Sequence, residues 1–124
     1  MRIIPVLLIT ASLFSGPVAA SDELSADEVA ALFTDKTFDI HNVKKDKQLM
    51  AYDAEDGEHL VYIPWKDKTS SRKWWQDGNM HCTSHPKRGD GCKVIKRAGE
   101  GVYHGFTDGE HTHTLSNFRK GNQL

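Results

Sequence analysis

Cysteine is scarce: Cys82 and Cys92 are the only two in 124 residues. They lack the close C-x-x-C spacing of redox or zinc-binding pairs. Excess charge of either sign is missing too, since 16 Lys and Arg face 17 Asp and Glu for a formal net charge of −1. A chain so balanced has no global attraction for nucleic acid or an anionic membrane surface. No glycine-rich phosphate loop, Ser-His-Asp spacing or paired acid–base carboxylates stand out, so an enzyme has little direct support. Only one long apolar run exists, and it lies at the start.

That run reads MRIIPVLLITASLFSGPVAA. Arg2 supplies a positive leading region, and residues 3–14 are apolar but fall short of the ~20 needed to span a bilayer. Ser15, Gly16 and Pro17 break the segment, and Val18 and Ala20 suit the −3 and −1 sites of a signal peptidase. Residues 1–20 are therefore expected to be a signal peptide cleaved before Ser21, leaving a single domain over 21–124; an uncleaved anchor helix is the alternative. No cysteine follows the run, so no lipid anchor is indicated. The expected location is periplasmic or secreted. In that compartment Cys82 and Cys92 make one disulfide. The segment between them holds Pro86, Gly89 and Gly91, and closing so short a loop stabilises by about 3 kcal/mol in the chain-entropy model.

One helix is signalled. Ser25 and Glu28 form a capping box, Leu24 and Val29 occupy the staple positions, and Asp27 and Glu28 place negative charge at the positive helix end. The helix is expected from about Ala26 to Phe33, packed through Val29, Leu32 and Phe33. After Thr34 the pattern has period two. Turn signals recur at 45–47, 56–57, 66–71, 77–78, 86–91, 99–101 and 108–109, which predicts an antiparallel meander of about eight strands. The fold class is mainly β: a small calycin-like barrel or curled sheet, with the helix covering one open end.

Turn chemistry sets the expected registers. A two-residue turn at Asp56–Gly57 puts Tyr52 opposite Val61 and Met50 opposite Ile63, so Met50, Tyr52, Val61, Ile63 and Trp65 share an inner face. A turn at Asp77–Gly78 puts Trp75 opposite Met80. Cys82 opposite Cys92 sets Met80 opposite Val94. Trp65 and Trp75 are read as core, and Trp74 as exposed.

Trp75, Gly78 and Cys82, followed by Cys92 and Val94 and then Gly121 and Asn122, form a pattern. It resembles that of a family of small, uncharacterised bacterial secreted proteins with a Trp-Gly-Cys hairpin, a second cysteine and a C-terminal Gly-Asn. The resemblance spans most of the chain after residue 20 and implies compartment and fold, but no activity.

Function is carried mainly by the seven histidines. His41, His59, His81 and His85 lie near strand ends or loops and read as solvated or hydrogen-bonded. In the last hairpin an Asp108–Gly109 turn puts Phe106 opposite His111 and His104 opposite His113. Period two then brings His104, His111 and His113 to one face with Val102, Phe106 and Leu115. Three imidazoles on adjacent strands suit zinc or copper, with His59 as a fourth ligand from the apolar-face parity. The alternative is the hydrated rim of a barrel. The leading reading is an exported, non-catalytic binding module of a bacterial envelope that holds zinc or copper at this cluster. Next comes a small apolar ligand inside the barrel, held by Met50, Tyr52, Ile63 and Phe106. A metal-dependent hydrolase with Glu110 as base is third. Lys87, Arg88, Lys93, Lys96 and Arg97 form a local basic patch, read as a solvated strand edge or a contact for an anionic surface.

Overall fold

The capping box forms as its residues require. Ser25 Oγ accepts from Glu28 N at 3.2 Å, and Ser25 N donates to Glu28 Oε1 at 2.9 Å. Helix α1 follows over Ala26–Phe33 in a computed structural model that describes residues 22–124. The expected signal peptide and its cleavage site lie outside the described residues. Eight strands come next: β1 Lys36–Asn42, β2 Lys47–Asp53, β3 Glu58–Ile63, β4 Lys68–Asp77, β5 Met80–Thr83, β6 Gly91–Gly99, β7 Val102–Thr107 and β8 Glu110–Lys120. Each pairs antiparallel with the next, and β8 returns to β1, which closes the barrel.

Closure leaves no sheet edge and gives every strand an inside and an outside. Leu24, Val29 and Phe33 from the helical segment meet Phe38, Ala51, Val61, Ile95 and Leu115 from the strands in one core. Phe33 packs edge-on against Phe38 at 5.2 Å and against Phe118 at 5.5 Å. Full burial of each phenylalanine contributes about 2–3 kcal/mol. Backbone and amide contacts hold the helix over this end. Leu24 N donates to Ile95 O at 2.9 Å, and Gln76 Nε2 donates to Ala26 O at 2.6 Å. The C-terminal segment is tied beside it by buried Thr37, whose Oγ1 donates to Gly121 O at 2.6 Å and accepts from Gln123 N at 2.9 Å. The 84–90 loop lies at the opposite end.

Several expected registers change. Asp53 pairs with His59 and Ala51 with Val61, one residue from the register expected of Asp56–Gly57. The turn occupies 54–57, closed by Gly57 N to Ala54 O at 3.1 Å and Ala54 N to Glu58 O at 2.8 Å, and is tied to β4: Trp74 N donates to Gly57 O at 2.9 Å, and Trp74 Nε1 to Ala54 O at 2.8 Å. A one-residue slip exchanges faces, so Met50 and Tyr52 lie outside while Val61 and Ile63 lie inside. The next turn is Gly78–Asn79, with Asp77 paired to Met80 and Trp75 to Cys82. Asn79 Nδ2 anchors it on Leu24 O at 3.1 Å. The tryptophan roles reverse, because β4 turns Trp74 inward and leaves Trp75 37% and Trp65 51% exposed. Cys82 does face Cys92, Met80 does face Val94, and the disulfide is formed.

Candidate functional site

The Asp108–Gly109 turn forms as its residues dictate, with both residues at positive φ (51° and 79°). Thr107 pairs with Glu110 and Phe106 with His111. A bulge between Gly105 and Phe106 then places an extra residue on β8, so Gly105 pairs with His113 and His104 with Thr114. Bulges of this kind shift the alternation of one strand against its partner. His104 and His111 therefore stack on the outside at 3.8 Å between centroids, while His113 points into the barrel. His59 is also inside, 5% exposed. The four histidines thus divide between two faces of the wall. Among the described residues no group of three or more His, Cys, Asp or Glu is placed to hold a metal ion.

Nor do the residues expected to hold an apolar ligand converge. Ile63 packs against the core. Tyr52 donates its hydroxyl to Asp35 Oδ1 at 2.6 Å, which with burial pushes the phenol up to about 12. Phe106 lies outside under Lys96 Nζ, 4.7 Å from its centroid. Glu110 pairs with Lys44 at 3.2 Å on the rim.

What the inward positions do assemble is polar. Strand pairing links Asp53 to His59, His59 to Arg72, His81 to Lys93, and Gly105 to His113. These residues form a belt around the inner wall. Asp53 is 0% exposed and sits between two imidazoles, His59 Nδ1 on Oδ1 and His81 Nε2 on Oδ2, the latter at 2.7 Å. His81 lies between aromatic planes, stacked on Phe33 at 3.9 Å and on Trp74 at 5.5 Å. Burial alone raises the Asp53 carboxyl, but the hydrogen bonds from His59 and His81 outweigh it and hold Asp53 below its ordinary range. Burial lowers His81, offset in part by Asp53. The group is thus a carboxylate accepting from two ring N–H donors. By residue type it is a two-histidine, one-carboxylate set, but each nitrogen is occupied by a different carboxylate oxygen.

The cations have no such partner. Arg72 Nε is the buried side-chain polar atom that finds no hydrogen-bond acceptor among the described residues. Lys93 lies along the inner wall over Gly105, where an added Cβ would come within 3.1 Å of Lys93 Cδ. The glycine gives the lysine its path. Arg88, on the 84–90 loop, adds charge from the open end: after burial, its repulsion is the next cause that lowers both Arg72 and Lys93. The same surroundings push His113 down to about 3, first through burial and then through Lys93 and Arg88. His113 is therefore a neutral imidazole facing two cations, Lys93 and Arg88.

Asp53, Arg72, His81 and Lys93 were not among the expected site residues. Their signal was parity. Asp53 alternates with Ala51, Arg72 with Trp74, and Lys93 with Ile95, so each is a polar residue on a core-facing register. Reading that signal requires the correct face, which the expected turn at Asp56–Gly57 assigned to the other parity. Comparison of the chain with protein-family models, curated proteins and solved structures finds no match to any of them.

Proposed function

We propose that this chain is an exported, non-catalytic binding module whose ligand is a small oxyanion, taken at the barrel end opposite α1 by Arg72, Lys93 and His113. The observation that carries this reading is the unpartnered Nε of Arg72, with Lys93 making no ion pair among the described residues and Arg88 repelling both. Desolvated cations in folded proteins are paired and hydrogen-bonded, because burial without a partner costs several kcal/mol. The one carboxylate in the belt, Asp53, is taken up by two imidazoles. An oxyanion would accept from the Arg72 guanidinium, receive the Lys93 ammonium as a point charge, and take one N–H from neutral His113. Arg88 on its loop would draw the anion toward the open end.

The Cys82–Cys92 disulfide and the leader pattern in residues 1–20 support an oxidising, extracytoplasmic setting. Charges at outward strand positions, among them Asp39, Glu58 and Lys73, make the barrel wall a poor lipid-facing surface. The test is calorimetric titration of inorganic phosphate, sulfate and acetate into the purified protein at low ionic strength. Binding of at least one is expected. Lys93→Met, which keeps the aliphatic length, should weaken it about ten- to a hundredfold, as loss of one charge-assisted contact implies. If none of the three anions binds, or if folded Lys93→Met binds as the parent does, the reading fails.

A further inference from the structure

A second site lies on the outer face of the barrel. Where β3 begins and β4 passes the 54–57 turn, a groove of about 580 Å³ opens, lined by Asp56, Glu58, Ser71, Lys73, Trp75 and the belt residue Arg72 among others. Clefts of about 300–1,000 Å³ are the size that takes small ligands. Trp75 offers an indole that is 37% exposed, and its ring N–H makes no hydrogen bond among the described residues. It stands on β4 directly opposite Cys82, which the disulfide ties across from β5 to β6. A rigid platform of this kind loses little freedom on binding.

The polar groups beside it are half used. Glu58 Oε2 accepts from Ser71 Oγ at 2.9 Å, leaving Oε1. Asp56 Oδ1 accepts from Glu58 N at 3.0 Å, leaving Oδ2. Lys73 sits across the ladder from Glu58, and its ammonium makes no ion pair among the described residues. The groove therefore presents two open acceptors, an ammonium donor, an indole N–H and a flat aromatic face. The lining sets two carboxylates, Asp56 and Glu58, against two cations, Arg72 and Lys73, so its charges balance and favour a neutral ligand. That ligand needs an apolar face to cover the indole and hydroxyls at its edge that both donate and accept. A pyranose ring has both: axial C–H groups on one face and equatorial hydroxyls around the rim.

We propose that the Trp75 groove binds a neutral oligosaccharide, one pyranose ring stacking on the indole while its hydroxyls donate to Glu58 and Asp56 and accept from Lys73. Two sources share this chemistry, plain hexose chains and N-acetylhexosamine chains. The experiment is a titration of isotope-labelled protein, followed by amide and indole N–H resonances, with cellohexaose and separately with chitohexaose. Saturable shifts are expected at the Trp75 indole and at Gly57, Glu58 and Lys73. A response to one oligomer alone identifies the source and upholds the site. Trp75→Ala should weaken binding about tenfold or more, Trp75→Phe should recover part of it, and phosphate binding should be unchanged in both. The proposal is overturned if neither oligosaccharide gives saturable shifts at millimolar concentration. It is equally overturned if a Trp75→Ala variant with a native amide spectrum responds as the parent does. Should Trp75→Ala fail to fold, Glu58→Gln decides: undiminished binding there overturns the proposal, and a loss upholds it.

Discussion

Replacing His113 with Gln should flatten the dependence of stability on pH, and the size of the effect follows from where the ring sits. Burial, then Lys93 and Arg88, holds His113 at about 3 in the folded state, whereas an unfolded histidine titrates near ~6.5. Between those values the unfolded chain binds a proton that the folded chain does not. Stability is therefore fully present above ~6.5 and is lost as pH falls toward the folded value. Lowering the pH from ~7 to ~5 across such a gap removes ~2 kcal/mol, and the partial exposure of the ring reduces this to ~1–2 kcal/mol. His81, lowered by burial, acts in the same direction, so the parent protein should lose more than this. Gln keeps a polar side chain beside Thr112, whose Oγ1 lies 2.8 Å from His113 Nδ1, but it cannot titrate. Urea unfolding at the two pH values, for parent and variant, measures the difference. The variant should lose ~1–2 kcal/mol less on acidification. An identical loss in both proteins would show that His113 does not lie unprotonated among the inner cations, and the charge arrangement of the belt would have to be redrawn.

Two further outcomes follow from the interior and the disulfide. Asp53→Asn should destabilise by about 3–5 kcal/mol, because an amide cannot accept from both imidazoles and leaves one buried donor opposed; thermal unfolding within 1 kcal/mol of the parent would contradict the buried network. Since Asp53 is held below its ordinary range, its contribution should be present above ~3.9 and fade as pH falls through its folded value. Cys92→Ser should cost about 2–4 kcal/mol while leaving the amide pattern of β5 and β6 native, and free thiols found in the native protein after unfolding would rule the bond out.

The local devices of this chain were legible in its residues. Ser25 and Glu28 cap a helix whose bounds match expectation, because both partners of a capping box lie within one turn. The strand count and the rough place of each turn also follow from short-range chemistry, although the turns expected at 56–57, 66–71 and 77–78 lie at 54–57, 64–67 and 78–79. The pairing of Cys82 with Cys92 follows from compartment and spacing. Which face each strand turns inward was decided elsewhere. The 54–57 turn is longer than the Asp56–Gly57 dipeptide and is tied to Trp74, some twenty residues away in sequence; its register pairs Asp53 with His59 on the inner face. At the last hairpin, one extra residue on β8 separates His113 from His104 although the turn between them is the expected one. Alternation has period two, so a single unpaired residue exchanges inside for outside along the rest of a strand. Composition showed that histidines and a basic patch were present. Only the pairing of the strands turned Lys93, Arg72 and His113 inward, where the inward carboxylate Asp53 is already bonded to two imidazoles.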